Sequence, residues 1–156
     1  MELYSSATSR PDDEVLFAPG EEVLYRLCEL LGGARTTIDL CVFTISDDRI
    51  TRNIIEAHRR GVSIRLITDD QKRADQGSDI DTLARAGIPI RTDDGEPHMH
   101  HKFALFDASI LATGSYNWTR GATFNHENLL VTHSPTAVAR YAGAFNALWE
   151  HMAPLG

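Results

Sequence analysis

The chain is expected to fold as an α/β domain, a mixed β-sheet flanked in layers by helices. Two observations carry that expectation. Segments with a helical period and segments with strand patterning alternate through the first half of the chain. Residues 38–45 are apolar on both faces, as a central strand covered on each side must be. At 156 residues the chain fits one domain with a substantial core, and 42% hydrophobic with 24% charged residues is ordinary for a globular protein. Residues 1–11 read as a tail and 12–156 as the domain.

Each element has its own signal. Residues 12–17 suggest a short first strand, closed by Pro19 and Gly20. Over 21–31, Val23, Leu27 and Leu30 with Leu24, Cys28 and Leu31 fall three or four apart, which predicts a helix stopped by Gly32 and Gly33. After the central strand, Ser46 is the expected cap of a helix with Asp47 and Asp48 in its first turn, its inner face marked by Ile50, Ile54 and Ala57 and its end by Gly61. Val62, Ile64 and Leu66 alternate with Ser63 and Arg65 as a strand does. Residues 69–77 show no apolar period and read as a loop. Ser78 and Asp81 form a capping-box pattern for a short helix ended by Gly87, followed by a brief strand over 88–91 and a turn-rich lead over 92–97. Ser134 and Pro135 open a last helix whose buried face is Val138, Tyr141, Ala142, Phe145, Leu148, Trp149 and Met152.

The chemistry concentrates between His98 and Glu127. Residues 100–107 read as a strand, in which His100 and Lys102 point the same way and Asp107 the other. Ser115 and Asn117 share parity on the next strand, where Gly114 is expected to let the backbone approach a ligand closely. An imidazole can attack phosphorus or act as a general acid. An ammonium with amide and hydroxyl donors can hold phosphate oxygens, and a carboxylate on the far ring nitrogen fixes the tautomer. His98 reads as a flanking polar residue of the cleft and His101 as a buried or edge histidine; His98, Trp118 and Arg120 are the candidate further substrate contacts. Trp118 reads as core more readily than as a stacking platform. Three histidines lie close together, but no acidic or cysteine ligand follows at a finger or zincin spacing, so no metal is expected.

His100-x-Lys102-x4-Asp107-x6-Gly114-Ser115-x-Asn117 resembles the HKD signature of the phospholipase D superfamily. The likeness is to its small single-motif members, the bacterial Nuc-type endonucleases and the mitochondrial phospholipase D or Zucchini group. It runs through Phe17 to Gly20, Asp39 to Ile45, Ala57 to Gly61 and Gly114 to Thr119, and covers roughly residues 12–152. The resemblance implies a phospholipase D-like layered fold, with His100 as the phosphohistidine nucleophile, Lys102 and Asn117 binding phosphate, Ser115 beside it, and Glu127 orienting the imidazole. Asp107 belongs to the catalytic motif, but as a structural anchor and not as an acid or base. No cofactor is implied.

Net charge is −7, which looks wrong for a nucleic-acid binder. Much of it lies in residues 1–30, while Arg49, Arg52, Arg59, Arg60, Arg65, Lys72 and Arg73 make 46–73 locally basic. Cys28 and Cys41 sit among apolar neighbours and are expected to be buried free thiols in a reducing compartment. No apolar run is long enough to span a membrane and the first fifteen residues lack a signal-peptide h-region, so a cytoplasmic location is expected.

No second His-x-Lys occurs, and two-motif relatives place both histidines in one cleft. The implied assembly is a two-fold homodimer in which the two His100 side chains face each other. The expected function is a metal-independent nuclease cutting single-stranded nucleic acid. A phospholipase D acting on cardiolipin is the alternative, for which no amphipathic membrane helix is evident. A silent phosphate-binding module is the third reading.

Overall fold

The computed structural model describes residues 10–155, so the expected tail lies outside it apart from Arg10 and Pro11. An eight-stranded sheet runs in the order β1 (Glu14–Ala18), β7 (Glu127–Thr132), β6 (Ile110–Gly114), β5 (Lys102–Phe106), β2 (Thr37–Val42), β3 (Ser63–Thr68), β4 (Ile90–Thr92) and β8 (Ala153–Pro154). Strands β2, β3 and β4 are parallel and every other pairing is antiparallel, so the sheet is mixed as expected.

Helices α1 (Glu22–Gly33), α2 (Asp48–Arg59) and α3 (Ile80–Arg85) cover one face and α4 (Pro135–His151) covers the other. This explains the two-sided apolarity of β2. Ile38, Leu40 and Val42 enter the core beneath α1 and α2, whereas Cys41 packs with Phe103, Leu105, Leu111 and Phe145 beneath α4. On the α4 face the Arg65 guanidinium pairs with Asp39 at 2.8 Å and lies over the rings of Phe145 and Trp149.

Several local expectations are corrected. Strand β2 ends at Val42, three residues early, and Ile45 instead bridges to Trp118. The cap of α2 is Asp47 and not Ser46: its carboxylate accepts from the Arg49 amide at 3.0 Å and also from the Arg49 guanidinium. No capping box forms at α3: its N-cap is Asp79, and Asp81 pairs with Arg73 at 2.8 Å. The loop contains a 3₁₀ turn at Gln71–Ala74. The strand expected over 88–91 begins at Ile90, and β8 was too short to leave a pattern. Both cysteines are free; Cys41 is buried, with its thiol pushed up to about 12 by desolvation, while Cys28 is only partly covered. Ser134 caps α4 through the Ala137 amide, with Pro135 opening the helix as expected.

Candidate active site

One end of the sheet gathers the predicted chemistry. The parallel strands β2, β3 and β4 finish there, β5 starts there at Lys102, β6 ends there at Gly114, and β7 starts there at Glu127. Open parallel sheets bind ligands at this end, outside the carboxyl ends of their strands.

His100 and Lys102 do meet, though not by strand alternation, because β5 begins only at Lys102. The Lys102 side chain folds back, so that Nζ donates to the His100 carbonyl oxygen at 2.8 Å and lies 3.0 Å from His100 Nδ1. The imidazole is exposed and rests against the ring of Phe43, centroid to centroid 4.4 Å. Lys102 Nζ stands 5.4 Å from that ring and Lys72 Nζ 5.1 Å. Phe43 is therefore a platform shared by the histidine and two ammonium groups, a role that its apolar context in the sequence conceals. Burial holds the Lys102 ammonium below its ordinary pKa, and the negative charge of Glu127 partly opposes this.

Glu127 opens β7 opposite Ala18. Among the described residues it makes no hydrogen bond to His100, and its charge acts on Lys102 and Tyr116. Ser115 is exposed, and its Oγ accepts from the Asn128 amide at 3.0 Å, which ties it to the start of β7. Asn117 Oδ1 is buried with no hydrogen-bond partner, while its backbone carbonyl accepts from the Thr119 amide.

Gly114 is needed for a reason other than the one expected. A Cβ there would sit 2.0 Å from the carbonyl oxygen of Asn128, so the close approach is to β7 and not to a ligand. Trp118 is 1% exposed and packed in the core, which removes it as a substrate contact. Arg120 is exposed and pairs with Asp48 at 3.4 Å, a surface contact of small energetic weight. His98 reaches Asp69 Oδ2 at 3.3 Å. His101 is an exposed edge residue in edge-to-face contact with Phe103, and partial burial with the nearby Lys102 charge keeps its imidazole below its ordinary pKa. A cleft of about 600 Å³ lies between this histidine segment and the end of α4, bordered by Asp93, His98, His100, His101 and His151.

Asp107 is at the far end of β5, five residues from Lys102, or roughly 17 Å along the strand. It cannot touch a substrate held by Lys102. Its carboxylate accepts from the amides of Arg35, Thr36 and Thr37 and from the Thr36 hydroxyl, at 2.7–3.2 Å. Burial would raise its pKa, but these donors outweigh it and hold the carboxyl below its usual range.

Much of the basic stretch is paired within the chain. Arg49 pairs with Asp47 and Glu21, Arg65 with Asp39, Lys72 with Asp75 and Arg73 with Asp81, while Arg60 caps the carbonyls of Leu31 and Ala34. An apolar surface stands at the same end of the sheet. Phe17 is exposed on β1 opposite Asn128, and Phe124, just ahead of β7, is 82% exposed.

A mixed sheet with a histidine–lysine pair and amide and hydroxyl donors at one end defines a class of phosphodiester hydrolases. Residues 27–149 match the family described as cardiolipin synthase, PLD-like domain, and the chain belongs to the phospholipase D superfamily, among its single-HKD members. It is 45% identical over 128 residues to the mitochondrial cardiolipin hydrolase of Chlamydomonas reinhardtii, covering 81% of this chain and 57% of that protein. To the human protein of the same name it is 41% identical over 136 residues, covering 86% and 54%. The chain thus spans about half the length of these curated relatives. The fold is that of Nuc, a phospholipase D family member from Salmonella typhimurium, with TM-score 0.85 and 24% identity over 92% of this chain and 97% of that one.

Proposed function

We propose that this phosphodiesterase hydrolyses a phospholipid phosphodiester, with cardiolipin as the substrate. The observation that carries the reading is the shared name of the relatives above, cardiolipin hydrolase, at 41–45% identity. Two further features support it over the expected nuclease. Five of the seven bases counted on for nucleic acid are engaged by internal acceptors, and Phe17 and Phe124 offer an apolar rim of the kind a lipid surface meets. Cleavage of single-stranded nucleic acid, implied by the motif's resemblance to the Nuc-type endonucleases, is the second reading.

In the proposed mechanism Nε2 of His100 attacks phosphorus and the P–O bond to the central glycerol breaks, so that phosphatidylglycerol is the leaving group. This forms a phosphohistidine, and the departing oxygen takes a proton from the second His100 of a homodimer. That second imidazole then removes a proton from water. The water oxygen displaces the first His100 from phosphorus, releasing phosphatidate and returning both rings to their starting states. Lys102, Ser115 and the Asn117 amide meet the non-bridging oxygens.

The ammonium contact matters here. A Lys102 donor at Nδ1 makes that nitrogen the acceptor and puts the ring proton on Nε2, the wrong tautomer for attack. Substrate phosphate draws Lys102 away, Nδ1 takes the proton with Glu127 as its acceptor, and Nε2 is left free. A cytoplasmic location belongs to the same proposal and is checked by fractionation.

The test incubates wild type and His100→Ala with cardiolipin vesicles, labelled single-stranded DNA and labelled RNA. Phosphatidate released by wild type alone supports the lipid reading. Nucleic-acid cleavage without lipid turnover replaces it with the nuclease, and phosphate binding without turnover leaves the silent module. Light scattering that finds a fully active monomer overturns the paired-histidine mechanism.

A further inference from the structure

We infer that Asp69, Asp93 and His98 form a binding site for one divalent transition-metal ion of the zinc or manganese type, beside the catalytic segment and outside its chemistry. Asp69 follows the end of β3, Asp93 follows the end of β4, and His98 lies two residues before His100. One donor atom from each lies within 4.8 Å of the other two. The two carboxylates are buried, Asp69 at 1% and Asp93 at 7% exposure, while His98 is exposed and can close over them.

An unsatisfied atom points to a ligand. Asp69 Oδ2 is buried and accepts no hydrogen bond, whereas Asp69 Oδ1 accepts from the Gln71 amide. Asp70 Oδ1 next to it is also buried without a partner. A buried carboxylate oxygen left bare costs free energy unless a cation or donor meets it. His98 Nδ1 lies 3.3 Å from Asp69 Oδ2, about the spacing of adjacent ligands around a tetrahedral ion with bonds of ~2.0–2.1 Å.

The second carboxylate is already oriented. Asp93 Oδ1 accepts from the Asp70 amide at 2.8 Å and Oδ2 from the Met99 amide at 2.7 Å, contacts of the sort that hold a metal-binding carboxylate in place. Two carboxylates with one imidazole favour zinc or manganese over calcium, which takes six or more oxygens. The ion would tie the ends of β3 and β4 to the segment carrying His100, acting as a clamp. The site escapes sequence inspection because its donors are 24 and 5 residues apart, and adjacency of two parallel strands unites them.

Tag-free protein stripped with a chelator is titrated with zinc chloride, and separately with manganese chloride, by calorimetry, and its melting temperature is followed with and without the ion. One equivalent is expected to bind and raise the melting temperature. His98→Ala and Asp69→Asn should weaken binding by about tenfold or more. His101→Ala should leave it unchanged. No saturable binding, or equal binding by wild type and His98→Ala, overturns the site. Because His98 is exposed, His98→Ala decides the matter alone if Asp69→Asn fails to fold.

Discussion

Nζ of Lys102 lies 3.0 Å from Nδ1 of His100 and 2.8 Å from the same residue's carbonyl oxygen, so one ammonium links the backbone and the ring of this histidine. In the proposed mechanism, replacing it removes a charge aimed at the developing negative charge on phosphorus. Lys102→Met is expected to lower kcat by about 10²–10³-fold, the cost of losing one such donor, with a smaller change in KM. Steady-state kinetics on whichever substrate the wild type turns over checks this. An equal fall in binding alone would assign the ammonium to substrate capture.

Gly114 and Asn128 are in backbone contact at a point where no side chain fits. Gly114→Ala drives a methyl to 2.0 Å from the Asn128 oxygen and 3.0 Å from Leu129 Cα, and neither can move without parting β6 from β7. A loss near the upper end of about 1–3 kcal/mol is expected in urea unfolding, together with loss of activity as Ser115 shifts. Gly121→Ala, where nothing lies within 4 Å, should change stability by less than about 0.5 kcal/mol.

Asp107 carries a pH signature. Its folded-state pKa is lowered from 3.8, so its contribution is present above the unfolded value and is lost as pH falls through the lower folded value. Wild type should therefore lose melting temperature below about pH 4 relative to Asp107→Asn, and the two curves should run parallel above pH 5. The variant itself should be less stable at neutral pH, with the active-site geometry retained. Thermal melts from pH 3 to 7 read both effects.

The turn from β5 to β6 has Asp107 at φ 53° and Ala108 at φ 52°. Asparagine, aspartate and glycine suit that region, whereas alanine pays for its Cβ. Ala108→Gly is expected to stabilise the protein by about 0.5–1 kcal/mol in denaturant titration, without altering activity. A destabilised variant would mean that chain entropy outweighs the relief.

Periodicity was enough to read the layered α/β architecture, because each helix and strand buries one face and the spacing of apolar residues records which. The motif residues were legible too, since a phosphate site needs particular donors at short separations. Local competition among neighbours was not. Ser46 and Asp47 both suit a helix cap, and the choice fell to Asp47, whose carboxylate takes both the amide and the guanidinium of Arg49. Ser78 and Asp81 fit a capping box, yet Asp81 found Arg73.

Linear order alone brought out the motif from His100 to Asn117 and the anchor role of Asp107, which holds the amides of Arg35, Thr36 and Thr37. Folding decided the rest. Phe43 became a platform, four bases paired with carboxylates and Arg60 with carbonyls, and Asp69 met Asp93 and His98. The reason is distance. Patterning reports what a residue does to neighbours within a few positions, whereas a side chain's exposure and partners depend on which strands lie next to one another, a property of the whole sheet.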